Sequence, residues 1–298
     1  MRQFDWDDIQ TFLAISRAGR LTVAAQQMGV DHSTLSRRIM ALEAALGVRL
    51  FERRSVGFVL TPEGERVLSD AEAMESLAMR MRHRLEDASF GLTGSVRVGT
   101  PEGFGTYFLA PRIAQITAAH PQLEIELIAN PRMFSLSKRE ADLAVSMTRP
   151  AKGRVYAHKL TDYTLGIYGA RTYVDAHPPI RSRHDVLTHP WIGYVEDQMW
   201  SAELNYLPQI STSLLPKVRI SNVISQMAAV AGSAGLGVLP CFMARTDPNL
   251  VRVLTDEIEL TRSYWLVTHA ETRDVARVKL IADFIRSEAE RETDFWGA

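Results

Sequence analysis

The residues between positions 31 and 54 form the densest group of side chains in this chain that could bind a charged polymer. This segment contains five arginines against three acids, whereas the whole chain carries 34 basic and 35 acidic side chains. Arginine and hydroxyl donors suit both phosphate oxygens and base edges. The residues that we expect to contact nucleic acid are Thr22, His32, Ser33, Thr34, Ser36, Arg37, Arg38, Arg53 and Arg54. The alternatives are a solvated helix face for Arg37 and Arg38, and an ordinary surface pair for Arg53 and Arg54.

Two helices and a tight turn are needed to display these side chains together. A first helix around Ile9–Ser16 is broken at Gly19, and a second, with Thr22 as its predicted N-cap, ends at Gly29. Asp31 then caps a third helix. Its apolar residues recur at spacings of four, three and four, at Leu35, Ile39, Leu42 and Leu46. This arrangement predicts a helix-turn-helix, whose second helix can enter a major groove.

A hairpin and a long helix follow in the sequence. Residues 50–54 and 58–60 predict a hairpin beside the third helix, with the two arginines at its tip suited to sugar–phosphate or minor-groove contact. Thr61-Pro62-Glu63 predicts a helix start. Apolar residues then recur at heptad spacing, at Val67, Ala71, Met74, Ala78, Met81 and Leu85. We favour a seam between two copies of the chain over packing against its own domain, because little else in this segment can cover so long a stripe.

The rest of the chain has the pattern of a soluble α/β protein. Hydrophobic residues make up 46% and charged residues 23% of its 298 residues, which excludes a disordered chain and predicts two domains. After residue 94, short apolar runs alternate with helical patterns, as in βα units. The runs, which predict strands, are 96–99, Leu123–Ile128, 143–145, 165–168, Trp191–Tyr194 and 265–267. Helical stripes are predicted at Leu109, Ile113 and Ile116, and at Val275, Val278, Ile281 and Ile285. The single cysteine, Cys241, excludes an internal disulfide, and the acidic first residues do not resemble a signal peptide. The longest uncharged stretch predicts a helix and a strand, so we expect a cytoplasmic protein with no membrane partner.

Ligands of open α/β sheets bind beyond the carboxyl ends of strands, close to helix N-termini. The residues that we expect at such places are Thr100, Glu102, Gly103, Phe104, Ser146, Thr148, Ser221 and Asn222, with Leu239 and Pro240 in the far wall. Hydroxyls and backbone amides there favour a carboxylate or another small anion, although Glu102 repels an anion unless it points away or meets an amine. The alternatives are plain loop residues for Ser146 and Thr148, and helix caps for Ser221 and Asn222.

No group of residues in the sequence predicts catalysis, a metal site or a cofactor. Residues 99–105 are rich in glycine but lack the Gly-Lys-Ser/Thr ending of a phosphate loop, and residues 232–235 lack the spacing of a nucleophile elbow. His184 and His189 have no acidic partner at helical spacing, which predicts surface or turn histidines. Cys241 lies in an apolar run and is predicted to be buried and inert. We therefore expect that the chain is not an enzyme.

Several segments taken together resemble the LysR-type family of bacterial transcriptional regulators. The N-terminal ones are Leu21-Thr22-Val23-Ala24-Ala25, Leu35-Ser36-Arg37-Arg38-Ile39, Leu42-Glu43, Leu46-Gly47, Leu50-Phe51-Glu52-Arg53 and Leu60-Thr61-Pro62-Glu63-Gly64. Weaker similarity continues downstream, at 94–98, 120–121, 141–145 and 230–240, so the resemblance covers nearly the whole chain. The sequence departs from the family pattern at His32, where glutamine is common, and at Thr22 and Asp31, where serine is frequent.

The resemblance implies an α/β fold with three parts. These are a winged helix-turn-helix at 1–60, a dimerising linker helix at 61–90, and a two-lobed effector domain like a periplasmic binding protein at 91–298. Lobe I would span about 95–163 and 267–292, and lobe II about 164–266.

The resemblance also implies a function, that of a sequence-specific transcriptional regulator. Its partners would be double-stranded promoter DNA, a small-molecule effector bound between the lobes, further copies of the chain in a homotetramer, and RNA polymerase. The alternative is a solute-binding or enzymatic α/β protein whose helical N-terminus only mediates assembly.

Overall fold

The structure is a computed structural model that describes residues 4–54, 57–87, 92–130, 141–150, 155–270 and 272–297. The chain divides into two compact units, Met1–Ser89 and Phe90–Ala298. No helix among the described residues is long and apolar enough to cross a lipid bilayer.

The N-terminal unit consists of four helices and a small hairpin. Its elements are α1 (Trp6–Ala18), α2 (Leu21–Met28), α3 (His32–Leu46), β1 (Phe51–Arg54), β2 (Gly57–Leu60) and α4 (Pro62–Asp87). Each of the first three helices ends at a glycine with left-handed backbone, at Gly19, Gly29 and Gly47. The helix-turn-helix and the hairpin were both predicted from the sequence. The prediction that Thr22 caps α2 was wrong, because Arg20 holds the N-cap position and Thr22 lies in the first helical turn.

The apolar spacing of α3 places one face of this helix in the core of the unit. Leu35, Ile39 and Leu42 are buried there against the apolar face of α1. Full burial of a leucine or isoleucine contributes about 2 kcal/mol. The opposite face of α3 therefore has to be the solvent face.

The hairpin is fixed against the end of α1 by a backbone hydrogen bond. Strands β1 and β2 are antiparallel, with Phe51 opposite Leu60, and the Phe58 amide donates to the Gly19 carbonyl at 2.8 Å. A Cβ at position 57 would overlap that same carbonyl oxygen, so this position requires glycine. The predicted N-cap of α4 is present, since the Thr61 hydroxyl accepts from the Gly64 amide at 2.9 Å.

The second unit is built on one mixed sheet. Within the described residues its strands are β3 (Gly94–Gly99), β4 (Leu123–Ile128), β5 (Leu143–Ser146), β6 (Val155–Ala170), β7 (Trp191–Tyr194), β8 (Val218–Ile220), β9 (Leu236–Pro240), β10 (Leu250–Val253) and β11 (Leu260–His269). The strand order is β4-β3-β5-β11-β6-β9-β7-β8, and β10 pairs with β6. The pairs β3–β4 and β7–β8 are parallel, as predicted for βα units. The long antiparallel strands β6 and β11 connect the two halves of the sheet.

Helices flank this sheet on either side of the long strands. They are α5 (Ile113–Ala119), α6 (Arg171–Ala176), α7 (Leu207–Ile210), α8 (Val223–Ala231), α9 (Cys241–Ala244), α10 (Ala276–Arg291) and α11 (Thr293–Trp296). The predicted stripe of α10 is buried at Val278, Ile281 and Ile285. The single helix predicted around Leu109 is instead a π-helical turn (Phe104–Leu109), a 3-10 turn (Ala110–Arg112) and α5. Pro111 lacks the amide hydrogen that a continuous α-helix needs there.

Candidate functional site

The N-terminal half of α3 carries the predicted polar side chains on its solvent face. His32, Ser33 and Arg37 are exposed, whereas Thr34, Ser36 and Arg38 are partly buried. Thr22 on α2 is exposed as well. These side chains thus form an accessible surface with hydroxyl, imidazole and guanidinium donors.

The two neighbouring arginines of α3 have different partners. Arg38 Nη2 lies 2.8 Å from Asp7 Oδ2 on α1, so its guanidinium is tied to the neighbouring helix. Arg37 is exposed and forms no ion pair with any other residue that the structure describes. Of the two, Arg37 is therefore the one whose donors remain available to an external acceptor.

The two arginines of the hairpin differ in the same way. Arg54 Nη2 is 2.7 Å from Glu52 Oε2, and its charge is compensated on the strand itself. The Arg53 guanidinium lies over the ring of Phe58, 5.4 Å from the centroid, and has no acidic partner within the described part of the chain. The hairpin thus carries one uncompensated positive charge that a neighbouring ring orients.

A small cavity in the second unit is lined by residues from both halves of the sheet. Aromatic rings form much of its wall, at Tyr163, Tyr194, Trp200, Tyr206 and Tyr264. Met147, Met243, Leu204, Val223, Pro240 and the segment Pro101–Gly103 complete it. The open space is about 20 Å³, enough for about one water molecule.

Only some of the predicted effector residues line this cavity. Glu102 and Gly103 line the cavity, whereas Thr100, Phe104, Ser146, Thr148, Ser221, Asn222 and Leu239 do not. Two of the predicted segments contribute a neighbouring residue, Met147 or Val223, and the predicted far wall contributes Pro240. The predicted loops are therefore present at the cavity, but mostly through neighbours of the predicted side chains.

Two of the predicted residues belong to the core. Phe104 is fully buried and stacks on Trp296, with centroids 5.7 Å apart and planes at 10°. Thr100 is fully buried too, and its Oγ1 has no hydrogen-bond partner among the described residues. Both side chains therefore belong to the core of the second unit, and neither lines the cavity.

The hydroxyl and amide residues form local turns and caps. Ser146 Oγ donates to the Thr148 carbonyl at 2.8 Å and accepts from the Thr148 amide. Asn222 Oδ1 accepts from the Ser225 amide at 2.8 Å and so caps α8. Leu239 is fully buried in β9, and alternation along the strand leaves Pro240 facing the cavity. Ser146 and Thr148 are therefore loop residues and Asn222 is a helix cap, as the alternative interpretations predicted.

The tyrosines at the cavity are neutral hydrogen-bonding groups. Burial raises the pKa of Tyr163, Tyr194, Tyr206 and Tyr264 well above the usual value, and neighbouring phenols raise it further. The Glu102 carboxylate also raises the pKa of Tyr194 and Tyr264. Negative charge on any of these phenols is thus strongly disfavoured.

The sequence analysis did not predict these tyrosines as cavity residues, although the position of Tyr194 could have been predicted. Tyr194 is the last residue of β7, at the carboxyl end of a strand whose bounds were predicted correctly. Trp200 and Tyr206 lie in an irregular segment without a periodic pattern, and only the tertiary structure brings them to the cavity.

The two histidines considered for metal binding lie in different environments. His184 is exposed, as predicted. His189 is buried rather than on the surface, directly after a 3-10 turn (Asp185–Thr188), and its Nδ1 lies 2.8 Å from the Tyr173 hydroxyl. Burial lowers the pKa of His189, and His177 lowers it further. Within the described ranges no group of three or more histidine, cysteine, aspartate or glutamate residues could hold a metal ion, and Cys241 is buried as expected.

Both units match known families. The family described as LysR substrate binding domain matches residues 91–290, more than half of the chain. The family described as bacterial regulatory helix-turn-helix protein, lysR family, matches residues 6–65.

Relatives and solved structures cover nearly the same length. The chain is 24% identical over 260 residues to the HTH-type transcriptional regulator PtxR of Pseudomonas aeruginosa. The aligned region covers 85% of this chain and 83% of that protein. A full-length OxyR variant from Pseudomonas aeruginosa has a TM-score of 0.71 at 18% identity, covering 99% of this chain and 97% of the other. CrgA of Neisseria meningitidis, a LysR-type transcriptional regulator, has a TM-score of 0.59 at 19% identity, covering 96% and 99%.

PtxR is a regulator of transcription, and the N-terminal unit matches a regulatory helix-turn-helix family. These matches exclude the alternative of a solute-binding or enzymatic protein whose helical N-terminus only mediates assembly. LysR regulators bind promoter DNA and small-molecule effectors, and they oligomerise. With both family matches in place, this chain belongs to the LysR family and is a DNA-binding transcriptional regulator with a substrate-binding effector domain.

Proposed function

We propose that the exposed half of α3 reads base edges in a major groove while Arg53 of the hairpin holds the sugar–phosphate backbone. The observation that carries this proposal is the contrast between Arg37 and Arg53, which have no acidic partner among the described residues, and Arg38 and Arg54, which do. An unpaired guanidinium on a solvent face is ready to bind guanine or phosphate. The hydroxyls around Arg37, together with Thr22 and His32, complete the contact surface.

The experiment that tests this proposal is recovery of sheared genomic DNA by the purified full-length protein, followed by sequencing. The salt concentration is held near 0.15 M, because affinity for DNA falls steeply with salt. Enrichment of a few intergenic sites with an interrupted palindrome is the expected result, and these sites name the regulated genes. Uniform recovery of all fragments would overturn sequence-specific reading.

We further propose that α4 joins two copies of the chain and that the assembly is a homotetramer. Its first turns pack inward, since Ala71 is buried in the N-terminal core. Further along, Met74, Leu77 and Met81 are 42%, 62% and 66% exposed, at helical spacings of three and four. Met74 and Met81 of this exposed stripe belong to the seam predicted at heptad spacing, whereas Leu77 does not. Ala78 of the predicted seam is partly buried, and Val67 and Ala71 pack in their own domain. Leu85 has no described side chain.

The cavity between the two halves of the sheet is proposed as the effector site. Strands β6 and β11 run through both halves, and Tyr163 of β6 and Tyr264 of β11 line the cavity, so a ligand there can change the angle between the halves. Such a ligand regulates DNA binding only if it binds the two arrangements with different affinity.

In this proposal the protein acts in the cytoplasm, where its promoters lie, with RNA polymerase as a further partner. Its parts are the three predicted ones, at 1–60, 61–90 and 91–298.

A further inference from the structure

A second cavity lies in the half of the sheet that contains β7, β8 and β9. Its volume is about 230 Å³, against about 20 Å³ for the cavity lined by both halves. Residues of the segment 196–216, which connects β7 to β8, form much of its wall. Leu215 of this segment is 78% exposed, so the wall reaches the protein surface and a ligand can enter from solvent.

Arg219 of β8 projects from the sheet face that this second cavity occupies. It pairs with Gly193 in the parallel register of β7 and β8, and residues in register on neighbouring strands share a face. A Cβ at Gly193 would lie 3.0 Å from Pro216 and 3.2 Å from Leu207, so the wall segment covers this face. The Arg219 guanidinium is exposed and forms no ion pair or hydrogen bond with any residue that the structure describes. Its donors are thus available to a ligand.

An acidic side chain lines the same cavity. Glu196 begins the 3-10 turn (Glu196–Gln198) that follows β7, and its exposed carboxylate has no ion partner within the described ranges. Arg219 lies beside Gly193, three residues before Glu196, so roughly 10 Å of backbone separates the two charged residues. Two long side chains can close such a span around a small head group. Opposite charges that share a cavity without pairing suit a ligand that carries both charges.

A buried amide supplies a further acceptor. Gln226 of α8 is 2% exposed and lines the cavity. Its Nε2 donates to the Ile220 carbonyl at 3.1 Å, and because a carbonyl can only accept, this contact fixes the orientation of the amide. Its Oε1 accepts no hydrogen bond from the part of the chain that the structure describes. An N–H donor in the cavity would therefore satisfy a buried acceptor that is costly to leave unpaired.

Much of the remaining wall is apolar and leaves room for a branched side chain. Leu207, Leu214, Pro216 and Val238 belong to this part of the wall. A dry apolar cavity of about 150 Å³ holds a benzene molecule. The larger volume here therefore accommodates a side chain of that size together with a charged head group.

We propose that this second cavity binds an apolar α-amino acid in its zwitterionic form. Arg219 holds the carboxylate, and Glu196 and the Oε1 atom of Gln226 hold the ammonium group. Leu207 and Leu214 contact the side chain. Binding at this site does not depend on which ligand occupies the cavity lined by both halves.

Three molecules with the same branched carbon chain test the two charge contacts. They are L-leucine, 4-methylpentanoate, which lacks the ammonium group, and 3-methylbutylamine, which lacks the carboxylate. Each is titrated into the full-length protein in a calorimeter. L-leucine is expected to bind at least about tenfold more tightly than either analogue, because only L-leucine pairs with both charges. Equal binding of an analogue, or no binding of L-leucine, would overturn the proposal.

Two variants locate the ligand in the second cavity. Arg219→Met keeps a long side chain and removes its charge, so the affinity for L-leucine should fall about tenfold while that for 3-methylbutylamine stays the same. Glu196→Gln should weaken L-leucine by a similar factor and leave 4-methylpentanoate unchanged. Wild-type affinity for L-leucine in both variants would place the ligand elsewhere and overturn the assignment.

Matched controls separate the charges of this cavity from charge in general. Arg181→Met and Glu257→Gln remove the same charges from exposed residues outside the cavity wall, and both should bind L-leucine like the wild type. Urea unfolding without ligand checks that all four variants fold. A loss of affinity in the controls equal to that in Arg219→Met and Glu196→Gln would show a general effect of charge and contradict a site in this cavity.

Discussion

The ring of Tyr163 lies flat against the ring of Tyr264, with centroids 4.2 Å apart and planes at 11°. Tyr163 belongs to β6 and Tyr264 to β11, and the register between these strands shifts just after Tyr264. Both side chains are buried and line the cavity. The stack thus joins the two long strands at the point where the proposed effector would act on them.

Removal of this ring should destabilise the second unit. We expect Tyr264→Ala to lower the free energy of unfolding by about 3–5 kcal/mol, since a large buried aromatic ring is lost. Tyr264→Phe keeps the stack and removes only the hydroxyl, so the expected loss is about 1 kcal/mol. Urea unfolding of both variants measures the difference. Equal losses would show that the hydroxyl, and not the ring, carries the stability.

Replacement of Arg37 should reduce sequence discrimination. Arg37→Ala removes a bidentate donor from the proposed base-reading face, which costs about 1–3 kcal/mol at the base that it reads. The measurement is competition between a recovered site and its single-base variants at fixed salt. Arg38→Ala is the comparison, because that side chain is tied to Asp7. A wild-type base preference in Arg37→Ala would exclude a reading role.

Replacement of Arg53 should weaken binding to all sequences alike. A phosphate contact releases about one counterion, so Arg53→Ala should lower the slope of log affinity against log salt by about one. Arg54→Ala serves as the control, since Glu52 already compensates its charge. If the slope of Arg53→Ala equals that of the wild type, Arg53 does not contact phosphate.

A charge on the exposed stripe of α4 should reduce oligomerisation. Leu77 is 62% exposed in the single chain, so Leu77→Glu can leave the fold intact while placing a charge in the proposed seam. Sedimentation is expected to show smaller assemblies than for the wild type. Ser69→Glu introduces the same charge at another exposed position of α4 and should leave the assembly unchanged. Identical sedimentation of both variants would exclude this stripe as the seam.

Buried His189 should make stability fall in mild acid. Its pKa is lowered in the folded chain, so the unfolded chain binds more protons as the pH falls below about 6.5. Its contribution is therefore present above that pH and lost below it. Urea unfolding at pH 7.5 and 5.0 should show a smaller acid-induced loss for His189→Gln than for the wild type. A loss of the same size in both proteins would assign the effect to other groups.

The periodic parts of this protein were determined by its sequence alone. Apolar spacing identified the buried faces of α3 and α10, and Gly19 and Gly29 marked helix ends because left-handed backbone favours glycine. The strand predicted at Leu123–Ile128 has those same bounds in the structure. Such features depend on neighbours a few residues away, and the sequence displays those neighbours directly.

The composition of the cavity was decided by the tertiary structure. Tyr163 and Tyr264 meet only because β6 pairs with β11 across about a hundred intervening residues, and no local pattern encodes that pairing. Val223 lines the cavity in place of the predicted Asn222 because the Asn222 side chain accepts a hydrogen bond from a backbone amide at the start of α8. Folding would otherwise leave that amide unpaired. Sequence reasoning reached the correct loops, whereas the long-range pairing of strands determined which side chains meet between them.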